Sequence, residues 1–459
     1  MTQWVSSSEI RAKFSKMMSE MYQKEVPLYG DLLELVDNIN QSVLSNNDAI
    51  HKQLKHTGEL NRLSQERHGA IRLGTIEELN NMRRILAVMG MYPVGYYDLV
   101  PAGVPVHSTA FRAIEVDDLN QSPFRIFTSL LRVELIDDKE LRDLAEQILS
   151  RRQIFTNQAL ALTEKFEQQG GLNIADAEKF LTEVIETFRW HTHAPVSKDL
   201  YMALDNQHRL IADVVAFKGP HINHLTPRTL DIDQIQNKML ECGITPKAVI
   251  EGPPRRKCPI LLRQTSFKAL LEKVKFTDHE GGHTARFGEI EQRGVALTPK
   301  GRKLYDELLI VAQQRLGKRP DEENAFQYMR ILEETFQVFP DDYRELALQG
   351  LAYFYYFAKP DSENGVWTYS DLNTLICSGK VEIEPIVYED FLPVSAAGIF
   401  QSNLGNNENI KFSSKSNREI FEEGLGVKIF DEMQLYAELQ SRSIDICLET
   451  LNKKNISMV

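Results

Sequence analysis

Cysteine is scarce in this chain. Cys242, Cys258, Cys377 and Cys447 are the four among 459 residues, and none forms a CxxC pair. That excludes a sulfur-rich zinc module and a disulfide scaffold, and it suits a reducing, cytoplasmic setting. Long apolar runs are missing too. The richest, Leu351 to Ala358, is far too short to span a bilayer. The opening MTQWVSSSEIRAKFSK is charged early and has no apolar core, so no secretory signal is expected. Nor is there a basic excess: 53 Lys+Arg stand against 65 Asp+Glu, a formal net charge of −12. Nucleic-acid binding rests on clustered cations, so neither nucleic acid nor membrane is an expected partner. Low-complexity stretches and Pro/Ser/Gly linkers are also absent, which argues for one compact body over 1–459.

What is present is an ordinary hydrophobic content of 42%, enough for a large core, and an internal repeat. Helical periodicity covers the first 65 residues and much of 137–200. Between and after these lie two stretches of similar layout, over 66–136 and 208–295. The first starts with a strand-like run carrying His68. Thr75 and Glu78 then make a capping-box pattern, an apolar helical face follows through Met89, and Gly90 ends it. Strand-like runs at 92–100, 104–114 and 124–136 complete a βαβββ order. The second starts with a run ending in His224, continues with a helix ended by Gly243, and has strand-like runs at 247–250, 260–267 and 286–292. Each histidine has an arginine four residues on, Arg72 and Arg228. His68 to Glu134 spans 66 residues and His224 to Glu289 spans 65. The fold expected is α+β: two βαβββ units forming a curved, incompletely closed barrel-like sheet. A helical insertion at 137–200 and a C-terminal α/β extension at 300–459 pack around it.

Two such units facing each other enclose a cavity. Two imidazoles and one carboxylate converging there suit a divalent metal with open positions, the donor set of non-haem Fe(II) oxygen chemistry. The candidates are His68, His224 and Glu289. Glu291 shares a strand face with Glu289 and rivals it on spacing alone. Glu134 is a third contender, and if it joined, four protein ligands would fit an isomerase better. Arg72 shares a strand face with His68. A cation beside a metal calls for an anion between them, either a substrate carboxylate or a protein one. His191, His193, His221, His279 and His283 are expected to be structural or loop residues. The small-residue run FLPVSAAGIF at 391–400 allows close backbone approach to a ligand or a strand.

With these residues in view, the chain is similar to a known family. RFGEIEQRG resembles the last metal-ligand strand of 4-hydroxyphenylpyruvate dioxygenase within the vicinal oxygen chelate superfamily, and its Gln-Arg register favours Glu289 over Glu291. Taken together, ERHGAIRLGT, HINHLTPR, FGEIEQRGVALTPKGR and EDFLPVSAAGIFQSNL resemble the 2-oxoadipate dioxygenase/decarboxylase family, also called 2-hydroxyglutarate synthases, over about 67–404. The resemblance implies an Fe(II) enzyme converting 2-oxoadipate and O2 to D-2-hydroxyglutarate and CO2 in lysine catabolism. It implies His68, His224 and Glu289 (or Glu291) as iron ligands and Arg72 at a substrate carboxylate. It also implies Val394 and Ser395 at the substrate through their backbone. The rival readings are a metal-dependent isomerase or lyase on the same scaffold, and a non-catalytic dicarboxylate-binding protein. The sequence does not specify the oligomeric state.

Overall fold

The stretch HGAIRL forms a wholly buried strand, β1 (His68–Leu73). A computed structural model describes it together with the rest of residues 4–318, 320–359, 366–392 and 414–453. Thr75 caps the following helix, Ile76–Val88, by accepting from the Glu78 amide. The carboxylate of Glu78 does not complete a capping box; it takes the Gly74 amide at 2.7 Å and the guanidinium of Arg152. Three strands follow, β2 (Tyr92–Asp98), β3 (Val106–Arg112) and β4 (Arg125–Leu131). The first unit is thus βαβββ.

The second unit is more irregular. It has β5 (His224–Thr226), the helix Ile232–Met239, β6 (Leu262–Ser266), a separate hairpin of β7 (Leu271–Lys275) and β8 (Glu280–Thr284), and then β9 (Phe287–Arg293). The strand expected at 247–250 does not form. Only isolated bridges, Pro246 to Phe267 and Glu251 to Gln264, tie this stretch to the sheet.

The main sheet is curled, with seven strands in the order β2-β3-β4-β1-β5-β9-β6, and many helices surround it in a mixed α+β fold. β1 runs parallel to β4 and β5 runs parallel to β9. The two units meet antiparallel at β1 and β5, where His68 pairs with Thr226 and Gly69 with Leu225. Side chains alternate between two cores. Ile71, Leu73, Leu225 and Ile290 face one, together with the N-terminal helices Ser7–Glu25 and Pro27–Asn46. Ala70 and Phe127 face the other, with helix Arg209–Val215 and the C-terminal part of the chain. Tyr22 Oη lies 2.9 Å from the carbonyls of both Asn223 and Phe287, which fastens a helix to the β5–β9 joint.

Candidate metal and substrate site

The face of β1 that carries Ala70 also carries His68 and Arg72. His68 stands at the start of β1, His224 at the start of β5 and Glu289 within β9, on three adjacent strands. Close packing behind these residues leaves little room for a side chain at Gly69 and Gly288. A Cβ on Gly69 would meet Ile222 Cδ1 at 2.6 Å, and one on Gly288 would meet Phe267 Cε1 at 2.5 Å.

One ligand atom from each of His68, His224 and Glu289 lies within 4.8 Å of the others, all three residues being buried. His68 Nε2 is 2.9 Å and His224 Nε2 is 3.9 Å from Glu289 Oε1. Gln264 Nε2 donates to the same oxygen at 2.7 Å, and Thr226 Oγ1 lies 3.2 Å from it. Glu289 Oε2 is buried without a hydrogen-bond partner among the described residues. Such an oxygen is costly unless something binds it, and beside two imidazoles a cation fits. Burial holds His224 down at about 3, so it is neutral, the form that ligates metals. Burial alone would raise Glu289, but the hydrogen bond and charge of His68, with Lys247 behind, hold the carboxylate below its usual range. Phe391 stands edge-on to His68, with ring centroids 4.9 Å apart, and Phe287 stacks on His224 at 4.8 Å.

Glu291 is turned elsewhere. It pairs with Arg293 and Arg67 and reaches only the far nitrogen of His68, Nδ1, at 3.0 Å. Glu134 lies outside the cluster, because β4 ends at Leu131 and the chain turns away. Its carboxylate is half exposed and bonds Arg132. The fourth ligand that would have favoured an isomerase is therefore not supplied by Glu134.

Arg72 is buried and directs Nη1 at Asp213 Oδ2, on helix Arg209–Val215. The other oxygen of Asp213 is 2.8 Å from His283 Nε2 and 3.3 Å from His221 Nε2, and Tyr201 Oη lies 2.8 Å from His283 Nδ1. His283, expected in a solvated loop, is 1% exposed because hairpin β7–β8 folds back on this cluster. Asp213 carried no sequence signal, since it sits in an apolar helical run. The repeat-related Arg228 pairs with Glu59 in the same manner. Val394 and Ser395 lie outside the described residues.

A profile of 2-oxoadipate dioxygenase/decarboxylases matches residues 14–403. The chain belongs to that family. It is 59% identical over 458 residues to the 2-oxoadipate dioxygenase/decarboxylase of Pseudomonas putida, covering 98% of both chains. It is 56% identical over 447 residues to that of Escherichia coli, covering 96% of this chain and 98% of the other. Among solved structures, the hydroxyglutarate synthase of Pseudomonas putida in complex with 2-oxoadipate superposes with a TM-score of 0.91 at 58% identity. That match covers 98% of this chain and 100% of the other.

Proposed function

We infer that this chain is an Fe(II)-dependent dioxygenase/decarboxylase that converts 2-oxoadipate and O2 to D-2-hydroxyglutarate and CO2, the reaction that places it in lysine catabolism. The reading rests on one observation above others: a buried His-His-Glu cluster within a chain nearly collinear with relatives that bear this activity's name. His68, His224 and Glu289 would hold the iron, leaving open positions. When bound, the ion supplies a Lewis-acidic and redox centre for the 2-oxo acid and O2.

The chain's own contribution is binding and exclusion. Arg72 offers a planar fork to a substrate carboxylate, and its charge is steadied by Asp213. The distal carboxylate is the better match, because the near one belongs with the metal and selection by length needs a fixed far anchor. Phe391 and Phe287 keep the imidazole faces dry. The backbone at Val394 and Ser395 would complete the substrate contacts. The four cysteines are free, and among the described residues no helix is long and apolar enough to cross a membrane, which fits a cytoplasmic enzyme.

The test is oxygen uptake by protein reconstituted anaerobically with Fe(II), then mixed with 2-oxoadipate. One O2 consumed per CO2 and 2-hydroxyglutarate released is the expected stoichiometry. Turnover of 2-oxoadipate without O2 would favour the isomerase or lyase reading. Tight binding without turnover would favour the non-catalytic one.

A further inference from the structure

Glu289 and Glu291 project from the same face of β9, yet they meet opposite ends of one imidazole. His68 Nε2 lies 2.9 Å from Glu289 Oε1, and His68 Nδ1 lies 3.0 Å from Glu291 Oε2. Glu291 is fully buried and held on both oxygens. Arg293 Nη2 donates to Oε2 at 2.8 Å, while Arg293 Nε and Arg67 Nε both donate to Oε1, the latter at 3.2 Å. Arg293 is itself tied to the backbone carbonyls of Tyr388 and Asp390 at 2.8 and 2.9 Å. The carboxylate is therefore fixed in place and cannot swing round to replace Glu289.

A neutral imidazole has one N–H and one lone pair, and the partner of one nitrogen decides which the other presents. An ionised carboxylate accepts hydrogen bonds and never donates. Both His68 nitrogens face carboxylates: Nε2 lies against Glu289, and Nδ1 meets Glu291 as a charge contact rather than a hydrogen bond. A cation between Nε2 and Glu289 would displace a proton from that side, and the negative charge of Glu291 then keeps the remaining proton on Nδ1. We propose that Glu291 is a positioning residue for the metal centre. Its charge, 3.0 Å from Nδ1, favours the Nδ1–H tautomer that ligation through Nε2 demands. This rests on the metal reading above. A carboxylate behind a ligating histidine also makes the ring a stronger donor. The Arg67–Glu291–Arg293 network thus has a task beyond packing: it anchors the group that orients a ligand.

The experiment measures Co(II) affinity of the apoprotein by competition with a chromophoric chelator. Glu291→Gln removes the charge. Glu291→Asp keeps the charge for Arg67 and Arg293 but withdraws the oxygen from Nδ1, so it serves as the folded comparison if the glutamine variant unfolds. Circular dichroism and the thermal midpoint of each apoprotein establish that it is folded. Both variants should bind Co(II) about 10- to 100-fold more weakly than the parent. Parent-like affinity in a folded Glu291→Asp protein would overturn the proposal, as would a lowered thermal midpoint with unchanged Co(II) affinity. His68→Ala, run in parallel, separates the two levels. If it too binds Co(II) like the parent, the metal reading itself fails. If it loses Co(II) while both Glu291 variants keep it, only the positioning role fails.

Discussion

Arg72 and Asp213 form a buried ion pair beside the candidate metal site, and the same aspartate also receives His283 and His221. The counter-charge that Arg72 needs in a dry site is thus supplied by the protein. A guanidinium carries five N–H donors, so pairing with Asp213 is compatible with a substrate carboxylate on the same fork. Asp213 is held well below its usual range: burial opposes this, but His221 and Arg72 more than compensate.

Arg72→Ala should lower kcat/KM for 2-oxoadipate by about ten- to a hundredfold, the loss of one charge-assisted pair of roughly 1.5–3 kcal/mol. Arg72→Lys should recover little, because a point charge cannot replace a fork. In the distal role, 2-oxo acids with apolar tails should be spared. Steady-state kinetics on 2-oxoadipate and 2-oxohexanoate decide it. An unchanged kcat/KM for 2-oxoadipate would make Arg72 a purely structural partner of Asp213.

His68→Ala, His224→Ala and Glu289→Ala should each abolish iron retention with the fold intact. Metal analysis after desalting, alongside circular dichroism, checks this. Full occupancy in any one of the three would remove that residue from the ligand set.

Glu389 takes three buried guanidiniums, those of Arg62, Arg67 and Arg125. Removing the shared acceptor takes the carboxylate from Arg62 and Arg125, while Arg67 keeps Glu291, and breaking a buried pair costs about 3–5 kcal/mol. Urea unfolding of Glu389→Ala should show at least that loss. A change below about 1 kcal/mol, the scale of exposed pairs, would mean the arginines are relieved by other partners.

Acid should destabilise the protein through buried histidines. Burial first, and Arg132 second, hold His107 down at about 3. Above pH 6.5 neither the folded nor the unfolded chain is protonated there. As the pH falls from 6.5 toward 3, the unfolded chain takes up a proton that the folded one refuses, so stability is lost in that window. The share of His107 is roughly 2 kcal/mol at pH 5. His107→Gln should shrink the difference between denaturation free energies at pH 7.5 and pH 5 by about that amount. An identical pH dependence in the variant would contradict the assignment.

His68 and His224 were legible as candidate ligands because they recur at matching points of a repeat, and a recurrence survives uncertainty about each strand's ends. Spacing alone could not separate Glu289 from Glu291, since period 2 puts both on one face; the Gln-Arg register favoured Glu289. The structure distinguishes them by Arg293 and Arg67, which draw Glu291 to the far side of His68. Glu134, a third contender on spacing, stands away from the cluster because the repeat breaks at the last strand of the first unit, which stops at Leu131. The expected strand at 247–250 failed for a related reason: a few bridges can tie a stretch down without a continuous ladder. Asp213 and His283 were out of reach. Their meeting depends on a helix and a hairpin far apart in the chain packing on the same strand face.

The joint between the two units is narrow. β1 and β4 share six register pairs, whereas β1 and β5 share two, and His68 takes part in one of these. A cation gripped by His68 on one side and by His224 and Glu289 on the other would work as a rivet through that joint. It would resist shear between the halves where the ladder is only two pairs long. Loss of the ion would then loosen the molecule at the same place where it disarms the chemistry, so an empty enzyme would present itself to proteases as a slack one.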